Sequence, residues 1–195
     1  AFSETVGYAE LALHSLLLFR RSWTEAMMQP PTPIPHLEQV ANYFFATAYP
    51  RRDGWVSLNF GDSRPPGCGC FTLANLWALG DRNPALLRYI DGFSGVPAKD
   101  AWASAVNLPY LPDAAQRARA AEPALATASI FHSQGLVTLR SGWQPDATLL
   151  ALRSGFTWNH VHADASSFVL HHRGQVLLSD SGHSAYSTPE YDAYY

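Results

Sequence analysis

Lysine is almost missing: Lys99 stands alone among thirteen basic residues, against sixteen acidic ones, in a chain of 195 residues with a net charge of -3. No basic stripe is available to neutralise a phosphate backbone, which excludes nucleic acid as a partner. Charged residues make up only 15% of the sequence while hydrophobic ones reach 47%. That balance excludes a disordered acidic or basic tail and implies a packed core. Cysteine is equally scarce. Cys68 and Cys70 sit one residue apart, too close for a relaxed disulfide and without the second pair a zinc knuckle needs, so both read as buried thiols. Long apolar runs are lacking too: Leu11 to Phe19, interrupted by His14 and Ser15, is about half a bilayer span. The sequence starts at Ala1 with no basic n-region or cleavage site, so any targeting segment is expected to have been removed or to lie outside this chain.

What is present changes character near residue 130. Before it, apolar helix formers run over residues 5–20, 36–49, 71–79 and 84–90, separated by Pro, Gly-Asp and Asn-Pro breaks; a further helix is expected over 99–106, and a surface helix or connector over 113–128. After it come short β-prone runs over 136–140, 147–153, 166–172 and 175–181, divided by Ser-Gly and Arg-Gly turns, the spacing of an antiparallel meander. Helices followed by strands give an α+β class, with a helical region over 1–128 and a sheet region over 129–195.

Five of the eight histidines fall between His160 and His183. In an extended segment His160, His162 and Asp164 share one face, because side chains repeat every two residues. Two imidazoles then converge on one ligand, and Asp164 is placed to bind metal or to accept an imidazole N–H. If 166–172 and 175–181 form a hairpin about Arg173-Gly174, Asp180 returns beside His162. The bland alternative is a chance pair in a His-rich edge strand. Gly182-His183-Ser184-Ala185-Tyr186 misses the nucleophile elbow, since Tyr186 replaces its final Gly.

The ordered string Gly135, Arg140, Gly142, Trp143, then Asn159, His160, His162, Asp164, Ser167, Phe168, then Gly174, Asp180, Gly182 and Tyr186 resembles the heparinase II/III-like polysaccharide lyases. Phe60-Gly61-Asp62-Ser63 and the Glu4 to Tyr8 stretch extend the resemblance upstream. It implies helices of an incomplete (α/α) toroid followed by antiparallel β-sandwich strands, and a chain that is a central piece of a larger enzyme. It implies cleavage of acidic, uronate-containing polysaccharide by β-elimination, in a secreted or periplasmic setting. By the same resemblance Tyr8 acts as base or acid and His160 assists at the scissile uronate. Glu4, Arg140 and Asn159 contact substrate, and Trp143 and Trp158 are candidates to stack on sugar rings. His162 and Asp180 match the ligands of a structural zinc whose third ligand falls beyond Tyr195, with His183 a possible substitute. Two rival classes stay open: a carbohydrate-binding or structural module that keeps a zinc-stapled hairpin, and a zinc hydrolase built on His160, His162 and Asp180.

Overall fold

The computed structural model describes residues 5–31, 33–51, 54–63, 70–80, 82–93, 107–155, 162, 165–182 and 188–189, without the side chains of Glu38, Cys70 and Phe71. Cys68 and the 99–106 stretch lie outside the described residues, and the Cys70 side chain is likewise undescribed.

Helix α1 spans Val6–Met27 and buries Val6, Ala9, Leu13 and Leu17, the three-and-four spacing of an apolar helical stripe. It runs about two turns past the expected end. Arg21 and Glu25 pair at i,i+4, and Met28 closes the helix in the left-handed conformation with its N–H on Glu25, a C-terminal cap that does not require Gly. Helix α2, Leu37–Thr47, ends before the expected Tyr49. Thr47 turns its hydroxyl back onto the Tyr43 and Phe44 carbonyls, and β1 (Ala48–Arg51) pairs antiparallel with β2 (Gly54–Ser57). Pro50 is tolerated because this two-stranded ribbon leaves edges free.

Helices α3 (Cys70–Leu79) and α4 (Pro84–Phe93) follow. Pro84 opens α4 where its missing N–H costs nothing, and the Asn83 side chain accepts from Ala85 N. The stretch over 113–128, expected as a surface helix or connector, is one helical turn, α5 (Ala114–Arg117), held by a capping box between Asp113 and Gln116 and followed by connecting chain. The remaining Ala/Arg stretch has no apolar stripe to bury. Leu13, Leu17, Phe44, Phe45, Leu73, Leu76, Leu86, Ile90 and Phe93 form the helical core.

The sheet is an antiparallel meander of five strands in chain order: β3 (Ala128–Phe131), β4 (Leu136–Arg140), β5 (Thr148–Arg153), β6 (Ser167–His172) and β7 (Gln175–Leu178). The first of these was not foreseen. Leu136, Leu149, Ala151 and Val169 face inward and pack on Tyr49, Leu58 and Phe60, so the sheet closes over the β1–β2 ribbon. The opposite face carries exposed Ile130, Leu139, Leu152, Phe168 and Leu178. Helices joined to an antiparallel sheet make the α+β class expected from the sequence.

Candidate functional site

The register fixes which residues share an end of the sheet. Leu136 pairs with Arg153, Arg153 with Ser167, and Leu170 with Leu178. The β3–β4 turn, the segment before β6 and the residues after β7 therefore lie at one end. Ser166 N donates to Arg153 O at 2.9 Å, tying the approach to β6 to the end of β5.

His162 sits at this end, 8% exposed, with Asp62 7% and Asp180 9% exposed. Its Nε2 lies 3.1 Å from Asp62 Oδ1 and its Nδ1 lies 4.0 Å from Asp180 Oδ1. One imidazole is thus held between two buried carboxylates. The β6–β7 hairpin delivers Asp180, and local bonds orient it: Gly182 N donates to Asp180 Oδ1 at 2.8 Å and Asn59 Nδ2 donates to Asp180 O at 3.1 Å. Asp62 arrives from the helical region. Phe60 is anchored in the sheet core, and Gly61, at φ +64, turns the chain in a conformation only Gly adopts freely. The next residue, Ser63, accepts from Gly7 N in the first turn of α1 at 3.1 Å. The Phe60-Gly61-Asp62-Ser63 segment therefore ties the start of α1, which carries Tyr8, to the His162 cluster.

Arg140 and Trp143 do not join this cluster. Arg140 ends β4 at the other end of the sheet, where its guanidinium donates to Phe45 O at 3.2 Å, to Ala46 O at 3.0 Å and to Ala48 O. Phe45 and Ala46 lie in the last turn of α2 and Ala48 directly follows it, so the cation caps a helix C-terminus. Its guanidinium carbon stands 4.4 Å from the centre of the Trp143 ring, and Arg88 holds the Trp143 carbonyl at 2.9 Å. Burial pulls the Arg140 pKa down to about 10, against the raising influence of Tyr89 and Tyr49. The strand places this expected substrate contact as a brace between sheet and helices.

Glu4, Trp158, Asn159, His160, Asp164, His183 and Tyr186 lie outside the described residues. Among the described residues no group of three or more His, Cys, Asp or Glu side chains is arranged to hold a metal ion. His162 and Asp180 are the two expected ligands that do approach each other. Asp62 was not singled out from the sequence. Its signal was the Phe-Gly-Asp-Ser motif, but the partner lies 100 residues away.

Comparison with known proteins gives one kind of match. No family model matches the sequence, and no curated protein does. Among solved structures, the heparan sulfate lyase HepC from Pedobacter heparinus superposes with a TM-score of 0.60 at 21% identity, over 96% of this chain and 27% of that one. A heparinase III gene product is also found, with a TM-score of 0.38 and 17% identity, over 78% of this chain and 28% of that one. The chain thus spans about a quarter of the length of either solved structure. At this identity the likeness is one of fold, and the helices and five-stranded sheet of this chain share the fold of a part of the heparan sulfate lyase HepC.

Proposed function

We propose that this chain is the central part of a polysaccharide lyase that cleaves uronate-containing chains by β-elimination. The observation that carries the reading is the buried Asp62–His162–Asp180 cluster, tied through Ser63 to the helix start that bears Tyr8. The fold shared with a heparan sulfate lyase supports it.

In such a reaction the proton beside the uronate carboxylate must leave first, and that carboxylate must be neutralised or hydrogen-bonded for the proton to become acidic enough. A base removes the proton, the electron pair forms the carbon–carbon double bond, and the glycosidic oxygen departs with a proton from an acid. Tyr8 takes the base or acid role and His160 assists at the uronate, with Asn159 and Glu4 as contacts to the substrate. Secretion or export to a periplasm fits a polymer substrate too large to enter a cell.

Zinc belongs to the same proposal. A metal-bound histidine usually gives its other ring N–H to a carboxylate, which fixes the tautomer. With Nε2 donating to Asp62, the Nδ1 lone pair of His162 faces Asp180, so His162 and Asp180 would hold the ion and Asp62 would orient the ring. The ion would fasten the hairpin to His162, whose ring Asp62 ties to the helical region, and leave the elimination to the other residues.

Tyr8→Phe tests the reading. The variant is expected to keep the wild-type circular dichroism spectrum and to lose turnover of uronate oligosaccharides by at least about a hundredfold, the usual contribution of a positioned acid or base. Turnover within a few-fold of wild type would remove Tyr8 from the reaction.

A further inference from the structure

A second feature lies at the same end of the sheet. A cleft of about 600 Å³ opens between the first half of α2 and the β3–β4 turn, lined among others by His36, Gln39, Tyr43, Phe131, His132 and Gln134. This is the volume of a small-molecule pocket, and its walls mix aromatic surface with a few polar groups. Tyr43 and Phe131 meet edge to face, with ring centres 5.4 Å apart. Gln39, His36 and His132 stand exposed at the rim, and Gln39 Nε2 lies 3.3 Å from His36 Nδ1. Not one Asp, Glu, Lys or Arg is among the described lining residues.

That composition selects a ligand class. Primary amides and imidazoles bond hydroxyls, aromatic faces pack on the C–H face of a sugar ring, and the described lining residues offer no Lys or Arg to compensate a sulfate or carboxylate. The position selects its source. The cleft sits beside β3 and β4, while His162 precedes β6 at the same end of the sheet. Two to three strand spacings separate them, roughly 10–15 Å, which a short oligosaccharide spans.

We propose that this cleft is a distal subsite that takes an unsulfated, uncharged sugar residue of the same polysaccharide chain whose uronate is worked on by Tyr8 and His160 beside the His162 cluster. The proposal rests on the lyase reading and adds to it: recognition extends along the end of the sheet, and affinity grows with chain length.

Calorimetric titration of the full chain tests it, with unsulfated oligomers of alternating uronic acid and N-acetylhexosamine, as disaccharide and as octasaccharide. The double variant Gln39→Ala/His132→Ala changes only exposed side chains and leaves the His162 cluster intact. It is expected to weaken octasaccharide binding about tenfold, the worth of one or two hydrogen bonds, while disaccharide binding stays unchanged. Equal loss for both lengths, or no loss for either, overturns the subsite. Octasaccharide and disaccharide binding equally well to the wild-type chain overturns it too, with the lyase reading untouched. If no oligomer binds the wild-type chain at all, the lyase reading falls and takes the subsite with it.

Discussion

His171 shows what one side chain can reveal. It points inward from β6, is 3% exposed, and among the described residues neither ring nitrogen has a hydrogen-bond partner. Its ring instead meets Tyr49 edge-on, with centres 4.4 Å apart. Burial above all, then Arg140 and Arg51, pull its pKa down to about 4. The unfolded chain binds that proton near pH 6.5, so acid favours unfolding. The stability His171 leaves intact above about pH 7 is lost as pH falls from about 6.5 toward 4, by roughly 3 kcal/mol in all. His171→Phe fills similar space without a titrating group, so its urea midpoint should fall less than that of wild type between pH 7.5 and pH 5. An identical fall in both proteins would remove His171 as the source. The approach of His162 and Asp180 was legible in the sequence, because a two-residue hairpin and strand parity suffice to bring them together. Asp62 was not, since no local pattern links residues separated by 100 positions. Arg140 was legible only as a motif residue; that it braces α2 depends on where the helix ends.

Elements were legible wherever an apolar period was long enough. The runs that became α1, α3, α4 and the four later strands carried it. The β1–β2 ribbon did not, because Ala48-Tyr49 continues the apolar period of α2 until Pro50, and tertiary packing on the sheet overrides that local preference. The strands also depend on how closely their turns meet. Gly135 stands at φ +57 after the β3–β4 turn, and a Cβ there would overlap the Ser154 carbonyl and come within 2.7 Å of Gly155 Cα. Ser154 N donates to Gly135 O at 2.8 Å, so two turns are in backbone contact. Gly135→Ala should cost about 2–4 kcal/mol through left-handed strain and overlap together, and denaturant titration reads it. A cost below half a kcal/mol would mean that the turns part without penalty.

At the scale of the molecule, the His162 cluster is where two layers meet: Asp62 comes from the helical region and His162 with Asp180 from the sheet. An ion held there would stabilise the chain by mass action. Adding zinc to the metal-stripped chain should raise its melting temperature, by about 2–4 °C for each kcal/mol of coupling, and Asp180→Asn should abolish the rise. A wild-type chain indifferent to zinc would leave a clamp without metal, the Asp62–His162 hydrogen bond with the Asp180 carboxylate beside it. The α+β order was readable from the change of pattern near residue 130. The joining of the layers was not, because Tyr49, Leu58 and Phe60 belong to the sheet core although they precede it by scores of residues.

The most direct test is the ultraviolet absorbance of the chain incubated with a panel of uronate polymers and oligomers. Elimination leaves a double bond conjugated to the uronate carboxylate, whereas hydrolysis leaves none. The account predicts rising absorbance with at least one polymer and no rise in the Tyr8→Phe variant. Cleavage into fragments without that absorbance, or intact polymer across the whole panel, would contradict it.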